Sequence, residues 1–405
     1  MNMQQPSSSM LSRRDFLRGA LGAGALALLN PPWLGAQTQP ATAPSVDPRL
    51  EQVLKSAIGV DMHNHVYPVG SEPDTRMGGG GGPGGPGGDR GPGRDGGPGG
   101  GPGPDAGSGA TTGPTPGIAE ALRHTGLTAV CATFKVDFVR GDPMEAFVRW
   151  LDTVDAALAA DKLSRALTLA DLKRARDLAK PTIVQGTEGG HFIAGQLGRV
   201  EKVYARGLRQ MQMFHDRDDT VKSMGDFIGN RGTTGGGLTP FGGDVIRECR
   251  RLGILVDLAH GTFKTVMDGA KIVNQPFVVS HVAPSGGSPM MRGRSLDKDQ
   301  AKAIAEAGGV IGVWTKGQLT PAQYVQQLQA MIEMAGVDHV GIGTDTDLLS
   351  TRSGQSTATA LRDAPGGFFP AIVAEMLRQG FSTDDVLKVG GGNYCRAFDA
   401  ATRGH

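Results

Sequence analysis

Beyond Thr111 the chain alternates between short apolar runs and stretches with helical spacing. The runs at 127–132, 182–187, 208–214, 254–258, 277–280, 309–313 and 339–343 are largely continuous in their hydrophobicity. Continuous runs mark parallel strands covered on both faces, whereas half-exposed strands alternate. An earlier run, Ala57-Ile58-Gly59-Val60-Asp61, makes the eighth. Amphipathic segments at 144–160, 169–179, 241–252, 297–307 and 321–335 separate the runs and predict helices. Eight strand–helix units in about 330 residues predict an α/β fold, a (β/α)8 TIM barrel. An open doubly wound sheet is the alternative, but no Gly-x-Gly-x-x-Gly turn follows a first strand.

Two segments stand outside this rhythm. Ser12-Arg13-Arg14-Asp15-Phe16-Leu17 precedes an apolar and glycine run at 19–29, then Asn30-Pro31-Pro32. A basic start, a short apolar stretch and a small-residue exit describe a signal peptide, and the twin arginine resembles the bacterial twin-arginine export signal. The run is shorter than the roughly 20 residues that span a bilayer. Residues 1–43 are therefore expected to be signal and linker, and the mature protein to be periplasmic or secreted without stable membrane insertion. The second segment is rich in glycine and proline, which fill 25 of the 33 positions from 78 to 110. It offers almost nothing to bury, so a disordered insertion at 78–114 is expected within a single barrel domain at 44–405.

Composition narrows the chemistry. The 41 Lys+Arg against 40 Asp+Glu leave a formal charge of +1, which gives no drive toward nucleic acid. Three cysteines exclude a disulfide scaffold. The informative residues are those placed where strands end. His63 and His65 follow the first strand, Glu188 the third, His215 the fourth, His260 the fifth, His281 the sixth and Asp345 the eighth. In a barrel these ends converge on one mouth. Imidazoles with a carboxylate suit zinc or a similar divalent ion, and so many candidate ligands suit two ions sharing a carboxylate and a hydroxide. Asp345 and Asp347 both follow Gly-Ile-Gly-Thr344, and one of them is expected to be catalytic while the other holds the loop.

In this order the residues resemble the membrane dipeptidase (renal dipeptidase) family of zinc-dependent metal-hydrolase barrels. The resemblance rests on Val60-Asp61-Met62-His63-Asn64-His65, Glu188-Gly189-Gly190-His191, Gly237-Leu238-Thr239-Pro240-Phe241-Gly242, Val256-Asp257-Leu258-Ala259-His260 and Val278-Val279-Ser280-His281, with Gly341-Ile342-Gly343-Thr344-Asp345 and Gly391-Gly392-Asn393-Tyr394 near the end. It implies a metal-dependent dipeptidase in which a metal-bridging hydroxide attacks the peptide bond. Two divalent ions, Zn2+ by resemblance, would be held by His63, His65 and Glu188 on one side and Glu188, His260 and His281 on the other. The family motif reads His-x-Asp where this chain has His63-Asn64-His65, so the first site would carry one more unit of positive charge. His215 would contact the substrate or its oxyanion, Asp345 would serve as acid and base, and Arg294 would bind the free C-terminal carboxylate of a dipeptide. The resemblance leaves room for a homodimer. Two other readings stand beside it. One is an exported barrel hydrolase for another small amide, lactone or phosphoester. The other is a metal-binding protein without activity.

The export reading has a direct check. Replacing Arg13 and Arg14 by lysine should leave the precursor in the cytoplasm, measured by cell fractionation. Undiminished export of the variant would reject the twin-arginine route.

Overall fold

The computed structural model describes residues 47–68, 117–135, 141–215, 221, 223–228, 235–285, 294–315, 320–350 and 366–405. The twin-arginine segment, the Gly/Pro tract and the acidic stretch Asp216-Arg217-Asp218-Asp219 lie outside them.

The strands are β1 (Val60–His65), β2 (Ala129–Thr133), β3 (Thr182–Glu188), β4 (Leu208–Gln212), β5 (Leu255–Asp257), β6 (Phe277–Pro284), β7 (Ser295–Leu296), β8 (Gly309–Val313), β9 (Val340–Ile342) and β10 (Thr346–Asp347). All pairings between them are parallel, in the order β1-β2-β3-β4-β5-β6-β8-β9, and β9 pairs back onto β1. That is a closed eight-stranded (β/α)8 barrel, as the eight apolar runs predict. β7 extends β6 at the rim, and β10 extends the pairing of β1 through Asn64↔Thr346 and His65↔Asp347.

The helices between strands start where the sequence supplies caps. Thr239, Asp297 and Thr320 each accept a backbone N–H of the first turn, and Pro240 and Pro321 occupy first helical positions where no N–H is missed. Helix Pro321–Ala335 coincides with its predicted span. The final helix, Asn393–Thr402, has a different task. Its Tyr394, Ala397, Phe398 and Ala401 pack with Val60, Ala129, Val184, Leu255, Val278 and Val310 near the N-terminal ends of the strands. This helix floors the barrel opposite the mouth, and Cys395 is buried within it. Among the described residues no helix is long and apolar enough to cross a membrane.

The main difference from expectation concerns β1. The predicted strand ends at Asp61, but the observed one runs to His65. Asn64 and His65 still find partners on β2 (Ala132, Thr133) and β10, so the polar residues stay in the ladder. The histidines are strand residues and inherit its rigidity.

Close packing in the barrel interior leaves no room at two glycines. A Cβ at either Gly312 or Gly343 would stand 1.8 Å from the carbonyl oxygen of Ser280. Gly343→Ala should lower stability by about 1–3 kcal/mol through overpacking, read as a fall in Tm. An unchanged Tm would show that β6 and β9 can separate at no cost.

Candidate metal centre

The centre begins with a carboxylate. Glu188, the last residue of β3, is fully buried, and neither of its oxygens has a hydrogen-bond partner among the described residues. Five imidazoles surround it, each presenting Nε2. His215, His260 and His281 lie 3.4, 3.5 and 3.6 Å from Oε1, with His63 at 3.7 Å, and His65 lies 3.5 Å from Oε2. These separations are long for hydrogen bonds. Two ligands at about 2.1 Å from a shared tetrahedral ion stand about 3.4 Å apart, so the spacing fits a divalent cation. His63, His65, Glu188 and Asp345 offer ligand atoms within 4.8 Å of one another, as do Glu188, His215 and His260. A site built of imidazole nitrogen and carboxylate oxygen is chemically suited to such an ion.

Protonation follows the same arrangement. Burial pushes His63 down to about 3 and His281 well below the usual imidazole range, so both present neutral lone pairs. Burial alone would raise Glu188 and Asp345. In Glu188 the attraction of His215 and Lys135 outweighs it, and in Asp345 that of His281 and His65, so both carboxyls fall well below their ordinary values. The centre therefore holds neutral His63 and His281 beside the ionised Glu188 and Asp345.

A layer beneath orients the rings. Ser280 Oγ lies 3.0 Å from His281 Nδ1 and 3.3 Å from His63 Nδ1. Thr133 Oγ1 and Tyr67 Oη lie 3.2 and 3.3 Å from His65 Nδ1. With Nδ1 occupied, Nε2 is left to face Glu188. Two buried carboxyls anchor the backbone of this layer. Asp61 accepts from Thr344 N (2.8 Å), Asn64 Nδ2 (2.9 Å) and His63 N (3.3 Å). Asp257 accepts from Ala259 N (3.0 Å), Gln210 Nε2 (3.1 Å) and Ser280 N (3.2 Å). Burial raises both to about 6. Tyr394 of the floor helix donates to Gln210 (2.9 Å), which links the floor to the centre.

Two site residues adopt left-handed backbone, His260 at φ 65° and Asp345 at φ 53°. Such conformations are held by surroundings and cluster at functional sites. Asp345 N donates to His63 O (3.0 Å), and its Oδ1 lies 3.2 Å from His65 Nε2. Asp347 instead accepts from Leu349 N (3.1 Å) and holds the turn, so the two aspartates have separate tasks. Arg294 is tied to β6 through its carbonyl, which accepts from Ala283 N (2.9 Å). Its guanidinium stands 3.8 Å from Asp345 Oδ2 and over the Trp314 ring, about a quarter exposed.

All eight predicted residues thus meet at one mouth. Sequence reasoning missed Lys135, just past β2, whose Nζ lies 3.5 Å from Glu188 Oε2. His191, which the sequence offers only as the end of the Glu188-Gly189-Gly190-His191 motif, is wholly buried in the turn after β3. Strand-end placement would have found Lys135, had cations been considered along with ligands. The cysteines are inert: all three are buried, and burial pushes the thiols of Cys249 and Cys395 up to about 12. A cavity of about 530 Å³ beside β5 and β6 touches the centre only through His260.

The family model described as Membrane dipeptidase (Peptidase family M19) matches residues 122–404. Dipeptidase verJ from Clonostachys rogersoniana is 26% identical over 277 residues, which cover 66% of this chain and 68% of that one. Among solved structures, an amidohydrolase from Pseudomonas aeruginosa superposes with a TM-score of 0.65 at 21% identity, covering 87% of this chain and 98% of the other. A metallo peptidase from Rhodobacter sphaeroides, liganded with a phosphinate mimic of the dipeptide L-Ala-D-Ala, has a TM-score of 0.57 at 20% identity and covers 69% and 89%. At these identities the structural likeness concerns the fold.

Glu188→Gln removes the charge that all five imidazoles face. Elemental analysis of the unaltered protein should return close to two divalent ions per chain, and the variant one or fewer. His215→Ala should keep both ions. A single ion, retained at full occupancy in Glu188→Gln, would reject the shared carboxylate.

Proposed function

Since this chain belongs to the membrane dipeptidase family, peptidase family M19, we propose that it is a metal-dependent dipeptidase using two divalent ions, most simply Zn2+, in the periplasm or outside the cell. The observation that carries the reading is Glu188, an ionised carboxylate without a hydrogen-bond partner among the described residues, inside a ring of five Nε2 atoms. His63, His65 and Glu188 are assigned to one ion, and Glu188, His260 and His281 to the other. When bound, the ions supply Lewis acidity at the scissile carbonyl and make water more acidic.

The remaining steps belong to side chains. His215 sits beside Glu188 with its Nε2 directed into the centre, which suits a donor for the carbonyl oxygen as negative charge develops there. Asp345 is ionised and at the mouth, so it can accept a proton from the attacking water and return it to the leaving nitrogen as the C–N bond breaks. Arg294 offers a planar, bidentate cation for the C-terminal carboxylate, and the Trp314 ring steadies it. A long peptide has no carboxylate at that distance from the scissile bond, so dipeptides should be preferred.

Arg294 separates this reading from a barrel hydrolase for other small amides. Arg294→Ala should lower kcat/KM for a free-acid dipeptide by about 30-fold or more, the effect of about 2 kcal/mol for one side of a charge pair. The C-terminal amide of the same dipeptide lacks the partner anion and should lose far less. Equal losses on acid and amide would overturn the carboxylate clamp.

A further inference from the structure

Lys135 has no part in the chemistry above, yet it reaches the same carboxylate. Its Nζ stands 3.5 Å from Glu188 Oε2, and its side chain is 29% exposed where that of Glu188 is wholly buried. An ammonium and a divalent ion contest one oxygen. When metal takes Glu188, like charge drives the Lys135 head away, and its flexible four-carbon stem lets it swing to the open side of the mouth.

The barrel order says where that is. On the ring β1-β2-β3-β4-β5-β6-β8-β9, β2 and β6 stand four places apart, on opposite sides. Lys135 follows β2, and Arg294 is bonded to β6. A dipeptide whose C-terminal carboxylate meets Arg294 therefore directs its N-terminal residue toward Lys135. The carboxylates of the described centre leave no charge unmatched there: Asp345 faces Arg294 and His65, and Glu188, once metal displaces Lys135, would be matched by the ion and the imidazoles. An N-terminal residue bearing only an ammonium meets a like charge, whereas one with an acidic side chain meets its complement.

We infer that Lys135 is a specificity-determining residue that selects dipeptides with a carboxylate on the side chain of the N-terminal residue. The inference rests on the dipeptidase reading and deepens it. The test compares isosteric pairs, Glu-Ala with Gln-Ala and Asp-Ala with Asn-Ala, on the metal-loaded protein. The acidic member of each pair should have the higher kcat/KM by about fivefold, the size of one partly exposed charge pair at its upper range. Lys135→Met should bring the ratio near unity, and Lys135→Arg should preserve the preference. Metal content and circular dichroism are recorded for each variant. No preference in the unaltered protein, or a ratio unmoved by Lys135→Met, would overturn the inference. An unmoved ratio with altered metal content would assign Lys135 only to neutralising Glu188. If no dipeptide is hydrolysed, the dipeptidase reading fails first. Calorimetric titration of Glu-Ala and Gln-Ala into the same protein then reads the charge preference without turnover, and equal affinities would overturn the inference as well.

Discussion

A carboxylate buried without a hydrogen bond is among the more costly groups a protein can hold, because it gives up water and receives nothing directional in return. Among the described residues Glu188 is such a group. It is tolerable only where surrounding charge offsets the lost solvation, and the arrangement of the mouth follows from that need. Imidazoles from β1, β6 and the loops after β4 and β5 converge on it, and a lysine reaches it from the end of β2. Loading with metal exchanges a diffuse set of long contacts for direct ones.

The layer below serves the same end by different means. The Nδ1 atoms of His63, His65 and His281 are occupied by hydroxyls of Ser280, Thr133 and Tyr67, and not by carboxylates. A hydroxyl can donate or accept, so it settles ring orientation without adding charge. The carboxyls stand one step further out. Asp61 and Asp257 bind backbone N–H groups at the strand ends: Asp61 holds His63 directly, and Asp257, through Ser280, sets the positions of His63 and His281, which it does not touch. Gly312 and Gly343 let neighbouring backbone approach the Ser280 carbonyl closely enough for this layer to form.

Much of this was legible in the sequence because buried parallel strands read as unbroken apolar runs. Their ends are then easy to locate, and the polar residue beyond each end identifies the site. The same logic explains the failures. The first strand was ended early because His63, Asn64 and His65 look like loop residues, although their backbone continues the ladder. Asp61 and Asp257 were visible as lone acids within apolar runs, but their partners, Thr344 and Ser280, are distant in sequence and revealed only by folding. Lys135 was passed over because its type does not ligate metal while protonated. His191 shows the opposite limit: nothing along the chain distinguishes a buried histidine from an exposed one.

The bond from Thr344 to Asp61 joins positions 283 apart and lies beside the β9–β1 seam. High contact order makes such a seam slow to form, since most of the chain must be placed before its ends can meet. An open barrel with β1 to β6 in place already carries His63, His65, Glu188 and His281, but Asp345 arrives only with the final closure. The ligands assigned above all lie on or just after β1 to β6, so an ion captured before that moment has its side-chain ligands but no aspartate beside it to carry the proton. Turnover, more than metal retention, thus becomes the record of whether the two ends of this chain have found each other.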